Sequence, residues 1–364
     1  MISRSESVKD VRGPKWVVAL LVWFAIHRRA MPWRDRPEPY AVWISEMMLQ
    51  QTQVDTVRPY FDRFMKRFPD VHALARADQD AVLKLWEGLG YYARARNLHR
   101  AAGIVVEQYK GQIPRTCASL MELPGVGPYA AAAIASIAYG EATPSVDGNV
   151  LRVMARFRGQ HVDIKQPDVV TDVRAYLQKR IPASCPGDFN QALMELGALV
   201  CRPRNPLCTQ CPLRPGCKAA QKGLTAEIPL APARKRIPHI DMVAVVVRKR
   251  GRILLVKRSE DRMLGGLWEF PGGKREKSES LAAAAKRSCL EVSGIDVTPG
   301  EKRCIVRHAY SHFRITLHVF EARLESGRVR AGEGCSMAQW VRVADMHALA
   351  MPITGRKVVG AWEF

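Results

Sequence analysis

Four cysteines carry the plainest chemistry in this 364-residue chain: Cys201, Cys208, Cys211 and Cys217 follow the spacing C-x6-C-x2-C-x5-C. Four thiolates within 17 residues can close around one metal centre. A zinc site usually brings two C-x2-C knuckles, and here only Cys208 and Cys211 form one. The wide first loop therefore favours a cubane iron–sulfur cluster over zinc. Nothing reducible or substrate-like adjoins the loop, so the centre reads as structural. Arg202, Arg204, Arg214 and Lys218 decorate it, either as a solvated basic face or as a metal-braced clamp on phosphates. Disulfides are not expected. Val17 to Ile26 is apolar, but His27-Arg28-Arg29 follows it where a secretory signal would place small residues. The segment is expected to be a buried amphipathic helix, the chain to be cytoplasmic, and the five scattered cysteines to be small core residues.

A second feature points to phosphate. Leu123-Pro-Gly-Val-Gly-Pro-Tyr129 joins two helical segments through a glycine-rich turn. Gly125 and Gly127 let backbone amides point outward together, and the next helix adds its positive end. About twenty residues on, Asp147 stands in Pro144-Ser-Val-Asp-Gly-Asn149, where it can be a helix cap or a functional carboxylate. The charge balance agrees with a polyanionic partner: 56 Lys and Arg against 35 Asp and Glu leave +21. Apolar residues make up 47 %, which is ordinary globular composition, and no stretch reaches the roughly 18 apolar residues of a membrane span.

These residues need a scaffold. From Trp16 to about Lys222 the apolar spacing is helical, with segments at Asp78 to Glu87, Tyr129 to Tyr139, Val146 to Phe157, Val169 to Lys179 and Phe189 to Cys201. Pro and Gly punctuate them as in a bundle of short helices. Residues 224–239 are Pro-rich and basic and read as a partly extended linker. Beyond it the period changes to that of strands: Met242 to Val247 with Arg252 to Arg258, and Cys304 to Ala309 with Phe313 to Phe320. A helix from Ser278 to Val292 lies between the pairs, which makes an α+β domain.

Taken together, the Gly-rich hairpin, the following Asp and the four-cysteine spacing resemble the helix-hairpin-helix DNA glycosylases with an iron–sulfur cluster. Within them the chain is most similar to the MutY-type adenine glycosylases, on Pro32-Trp-Arg34, Ser45-Glu-Met-Met-Leu-Gln-Gln-Thr-Gln53, Gly88-Leu-Gly-Tyr-Tyr92 and Val146-Asp-Gly-Asn149. The resemblance implies a mainly α fold. A two-lobed all-helical glycosylase with a cluster loop (1–223) would precede the linker (224–239) and a Nudix-like α+β domain (240–364). It implies one 4Fe-4S cluster on the four cysteines. Glu46 would protonate adenine and help activate water, and its apolar neighbours Ile44, Met47 and Met48 would raise its pKa. Asp147 would stabilise the cationic sugar, with Asn149 and Tyr129 supporting the two carboxylates. Tyr129 stands where bifunctional relatives carry a Schiff-base Lys, so strong lyase activity is not expected. Arg34 and Gln191 would bond the flipped adenine, while Gln51, Leu89 and Tyr91 would wedge into the duplex.

The carboxy-terminal region resembles a Nudix fold. Gly273, Glu279, Arg287, Glu291, Gly294 and Ile295 keep the box spacing, but Ser288 and Val292 replace two of its glutamates. One remaining Glu is a poor Mg2+ cage, so diphosphatase activity is not expected. In the family this domain recognises 8-oxoguanine through Phe-Ser-His, which here reads Tyr310-Ser311-His312. Tyr keeps an aromatic wedge but adds a hydroxyl that needs a partner. The resemblance thus implies a monofunctional, monomeric enzyme that hydrolyses adenine from duplex DNA opposite 8-oxoguanine, and more weakly opposite guanine.

Overall fold

A computed structural model describes residues 13–35, 37–230 and 237–362. Helices come first: α1 (Lys15–His27), α2 (Pro32–Asp35), α3 (Pro39–Leu49), α4 (Val54–Arg67), α5 (Val71–Ala75), α6 (Gln79–Trp86), α7 (Ala93–Gln108), α8 (Cys117–Leu120), α9 (Pro128–Tyr139), α10 (Gly148–Arg158), α11 (Pro167–Gln178), α12 (Pro186–Leu199) and α13 (Lys218–Gln221). Strands β1 (His239–Lys249), β2 (Arg252–Arg258), β3 (Trp268–Glu269) and β4 (Gly272–Lys274) follow. Then come α14 (Leu281–Ser293), β5 (Ile295–Ala309), β6 (Arg314–Gly327), β7 (Cys335–Arg342) and α15 (Ile353–Gly360). The chain divides into two compact units, Met1–Ala75 with Arg100–Arg234, and Arg76–His99 with Lys235–Phe364.

In the first unit local chemistry fixes the helix ends that matter. Asp147 caps α10 by accepting from the Val150 N–H at 2.7 Å, and Gly159 closes it at φ 67°. The expected start at Val146 therefore moves to Gly148. Pro128 opens α9, whose run Ala130–Ser136 is buried on all sides. The α3 run Ala41–Met48 is buried likewise, and α3 packs on α9. A core of Leu20, Leu21 and Phe24 from α1, Val150 and Met154 from α10, and Phe189, Leu193 and Leu196 from α12 holds the other lobe. The expected Val17 to Ile26 helix forms as α1, though Val22 and Ile26 lie outside the core at 45 % and 72 % exposure.

The second unit is a sheet with helices on both faces. Its strand order is β3-β2-β1-β6-β5, with β4 paired to β1 and β7 to β2. β1 runs parallel to β6, and β5 and β6 form the antiparallel hairpin whose turn holds residues 310–313. Side chains alternate by strand period: Val243, Val245 and Val247 pack with Ala284, Ala285 and Cys289 of α14, while Ala244 and Val246 share a core with Met351 and Val358 on the other face. Of the five scattered cysteines only Cys289 is fully buried; Cys117, Cys185, Cys304 and Cys335 are half-buried.

Two boundaries differ from expectation. Residues 224–230 are packed rather than linking: Ile228 is buried against Ala155 and Ala219, and the Leu230 N–H bonds Val162 O at 3.0 Å. The rest of the linker reading, 231–236, lies outside the described residues. The segment Arg76–His99, expected with the helical lobe, groups with the sheet because polar contacts hold it there. Glu87 takes Arg356 Nε at 2.5 Å and the Met351 N–H at 3.0 Å. Lys257 pairs with Asp80 at 2.6 Å, and Arg96 donates to Gly265 O at 2.6 Å. Burial pushes the Glu87 carboxyl up, but its bonds from Arg356, Lys84 and Met351 outweigh that and hold it below the usual range. A carboxyl lowered by folding stabilises above its unfolded pKa, and that stability is lost as pH falls through the folded value. Glu87→Gln is therefore expected to cost about 2 kcal/mol at pH 7, with the gap closing on acidification through the carboxylate range. Urea unfolding at several pH values checks this, and a pH-independent gap would refute it.

Candidate active site and cysteine loop

The first unit holds a cleft of about 1010 Å3. Five helices and one turn bring to it the residues separated in sequence: Arg34 from α2, Glu46 from α3, Tyr129 from α9, Asp147 and Asn149 from the start of α10, Gln191 from α12, and Gln51 from the turn after α3. Glu46 is 5 % exposed and accepts from the Tyr129 hydroxyl at 3.1 Å. Burial is the main cause that pushes the Glu46 carboxyl up to about 7; the Tyr129 bond pulls the other way and the Asp147 charge adds to the rise. Burial also raises Asp147, offset by bonds from the Val150 and Asn149 N–H groups and by the nearby Arg152. Asn149 Nδ2 donates to Asp147 Oδ2 at 2.9 Å, and Arg152 Nη2 donates to Asn149 Oδ1 at 2.8 Å. Gly197 of α12 lies so close to Asn149 that a Cβ there would come within 2.6 Å of the Asn149 Cβ. Two buried carboxyl groups in unlike surroundings therefore face one cleft, Glu46 with the Tyr129 hydroxyl and Asp147 with the Val150 N–H and the Asn149 amide, the pattern that can divide acid and charge-stabilising roles.

Sequence reasoning missed Glu195. Its side chain is 2 % exposed at the same cleft, where Arg29 holds both oxygens at 2.9 and 3.0 Å and Arg34 Nη2 adds 3.2 Å. Burial pushes this carboxyl up, but the two guanidinium groups hold it at about 2. Arg34 Nε also donates to Gln191 Oε1 at 2.9 Å and its Nη1 to Arg29 O at 3.1 Å, so Arg34 is fixed by three partners and the Gln191 carbonyl is already engaged. The signal lay in Glu at helical spacing from Gln191, one turn along α12, which alone says only that both share a face.

In the hairpin turn, Gly125 has φ 80° and caps no helix, whereas Gly127 is the α9 N-cap at φ −85°. A Cβ on Gly127 would meet nothing within 4 Å, so the fold does not require glycine there and the space stays open to an approaching group. Gln51 is exposed on a turn at φ 58°. The other expected wedges differ. Leu89 is 6 % exposed, and the turn that carries it presents Gly90 and Tyr91 instead, with Tyr91 41 % exposed at φ 48°. Tyr310 is turned inward: its ring packs on His308 and Phe313 with centroids 4.5 and 5.0 Å away, so it is a wall of the sheet core rather than a wedge. Ser311 and His312 are the exposed members of that turn.

In the Nudix box Ser288 is buried, and Arg287 pairs with Glu279 at 2.5 Å and with Glu291 at 2.7 Å.

Among the described residues no three His, Cys, Asp or Glu side chains converge as they would on a single metal ion. The four cysteines are free of disulfides and line one cavity with Val153, Leu196 and Leu213. Four thiols lining one apolar cavity are a donor set that a polynuclear cluster would take. Arg156 Nη1 lies 3.4 Å from Cys201 Sγ and bonds Arg202 O at 2.7 Å, which supplies positive charge beside the sulfurs. Arg152 Nε donates to Cys201 O at 2.9 Å, so the loop and Asn149 share one guanidinium.

Residues 44–182 match the model of the HhH-GPD superfamily base excision DNA repair protein, and residues 242–361 match the NUDIX domain. With a carboxylate-lined cleft in the helical unit, fold and site define a base-excision DNA glycosylase that carries a NUDIX-type domain. A solved structure of a thermostable thymine-DNA glycosylase is 27 % identical, covers 60 % of this chain and 98 % of its own, and superposes with a TM-score of 0.53. The human adenine DNA glycosylase is 35 % identical over 95 % of this chain and 73 % of its own length. That of Buchnera aphidicola subsp. Acyrthosiphon pisum is 33 % identical over 82 % and 83 %. The chain belongs to the adenine DNA glycosylase family. It is a DNA N-glycosylase of base excision repair, and duplex DNA is its partner. Among the described residues no helix is long and apolar enough to cross a membrane.

Proposed function

We propose that the protein removes adenine mispaired with 8-oxoguanine, and more weakly with guanine, by hydrolysis alone, and that it acts as a monomer in the cytoplasm. The observation that carries the chemistry is the buried Glu46, with a pKa near 7. Its acid form gives a proton to the adenine ring. The C1′–N9 bond then breaks, the bonding pair leaves on the base, and Asp147 faces the positive sugar. Water adds to C1′ and loses its proton to Glu46, which restores the acid. Tyr129 cannot form an imine with C1′, which supports hydrolysis without strand cleavage. Arg34, held by Glu195, and Gln191 present the adenine edge with bonding groups. The exposed Ser311 and His312 stand for the opposite-base reading, with Gln51 and Tyr91 as wedges and the Gly125–Gly127 turn as a phosphate contact. Cys201, Cys208, Cys211 and Cys217 would hold one 4Fe-4S cluster; bound there, it supplies structural bracing of the basic loop rather than chemistry.

The test is a single-turnover assay on duplexes with one adenine opposite 8-oxoguanine or guanine, each divided into piperidine-treated and untreated halves. Strand scission only after treatment, faster opposite 8-oxoguanine, is the expected result. Scission without treatment would refute hydrolysis alone, and equal rates would refute the opposite-base preference.

A further inference from the structure

Glu87 stands at a junction in the second unit. It ends α6, and the turn after it leads into α7 with Gly88 at φ 102°, Gly90 at 72° and Tyr91 at 48°. Left-handed backbone is unfavourable for a tyrosine, so the turn keeps this shape only while its surroundings hold it. From inside, Arg94, 8 % exposed, donates to Leu89 O at 3.2 Å and Gly90 O at 3.1 Å, and the Gly88 N–H bonds the Tyr92 hydroxyl at 3.1 Å. From outside, the sheet grips Glu87. Its Oε1 accepts from Arg356 Nε at 2.5 Å and the Met351 N–H at 3.0 Å, and its Oε2 from Lys84 Nζ at 2.6 Å and Arg356 Nη2 at 3.3 Å. Arg356 of α15 is itself seated, because its Nη1 and Nη2 also donate to Met346 O at 3.1 Å, His347 O at 3.4 Å and Leu349 O. The Glu87 and Arg356 side chains are only 17 % and 22 % exposed. Tyr91 is the large side chain that this braced turn leaves in the open.

A ring driven between stacked bases must unstack them, and the opposing force falls on the backbone that carries the ring. A turn free to recoil would yield in place of the duplex. We propose that Glu87 and Arg356 are positioning residues for base extrusion, a clamp through which the sheet unit backs Tyr91 as it enters the duplex. The work is then divided along the chain: the carboxyl groups that face the glycosidic bond belong to the first unit, and the opening of the stack belongs to the second. The clamp acts on how fast the base leaves the stack and not on the bond broken afterwards. The inference rests on the reading of Tyr91 as a wedge.

2-Aminopurine placed beside the target adenine brightens when the stack opens. Stopped-flow fluorescence therefore reads extrusion, and single-turnover excision reads base removal, on one duplex with adenine opposite 8-oxoguanine and the full chain. Glu87→Gln keeps the shape of the side chain and loses its charge; it is expected to slow the fluorescence rise and excision about tenfold, the value of a charged hydrogen bond. Arg356→Lys keeps the charge without the two-pronged grip and is expected to slow both by less. Tyr91→Ala sets the limit, and adding Glu87→Gln to it should slow neither step further. Urea unfolding fixes a temperature at which every variant is folded. A wild-type fluorescence rise in Glu87→Gln, or a loss that adds in full to that of Tyr91→Ala, overturns the clamp and leaves the wedge reading standing. A wild-type rise in Tyr91→Ala overturns the reading on which the inference rests.

Discussion

Glu46→Gln is expected to lose base excision by about 10²–10⁴-fold while the folded protein becomes more stable above neutral pH. Both effects have one cause. Burial in the apolar α3 run holds the carboxyl at about 7, against 4.5 unperturbed. Between those values the unfolded chain has released the proton and the folded one has not, so stability falls as pH rises across the window. The neutral amide never ionises and avoids that loss, which amounts to about 3 kcal/mol once pH exceeds the folded value. Gln still offers an oxygen to the Tyr129 hydroxyl at the same place. The wild-type single-turnover rate should likewise fall as pH rises through about 7, because only the acid form has a proton to give. Thermal unfolding of both proteins at pH 5 and pH 8.5, beside the rate profile, checks this. If the variant gains nothing at pH 8.5, Glu46 is not held protonated by the fold.

Much of this site was legible because its signals are local. The cysteine spacing lies within one loop, and Asp147 with Asn149 lies within one helix turn. Glu46 was singled out by the family resemblance, and its apolar neighbours Ile44, Met47 and Met48 foretold the burial. What escaped the sequence depends on distant partners. Glu195 gains meaning only from Arg29 and Arg34, more than 150 residues away. The attachment of Arg76–His99 to the sheet unit rests on pairs such as Glu87 with Arg356, 269 residues apart, and neither residue is unusual in its own segment. Leu89 and Tyr310 lie differently from what their motifs suggest. Both were read as projecting groups from their motif, yet an apolar side chain on a tight turn lowers its free energy by burial unless another surface covers it. The short strands β3 and β4 and the final helix α15 were not read either. Each is too brief to show a period and is fixed by its pairing or packing with β1, β2 and the second core.

Asp147 allows the sharpest separation of structure from chemistry, because its cap role and its carboxylate role can be changed one at a time. Asp and Asn cap helices about equally well, so Asp147→Asn keeps an oxygen for the Val150 N–H and leaves α10 in place. What disappears is the carboxylate that would offset the positive sugar as the bond to adenine breaks, together with the oxygen that accepts from Asn149 Nδ2 at 2.9 Å. Removing such preorganised stabilisation costs about 10²–10³-fold. Asp147→Asn is therefore expected to lose turnover by that factor or more, with the unfolding midpoint and the affinity for mispaired duplex kept close to wild type. Asp147→Ala should lose both turnover and stability, the latter by about 1 kcal/mol from the missing cap. Single-turnover rates, DNA-binding titrations and urea unfolding on the two variants separate the roles. Near-normal turnover in Asp147→Asn would reduce Asp147 to a cap and leave Glu46 as the one reacting carboxyl of the cleft.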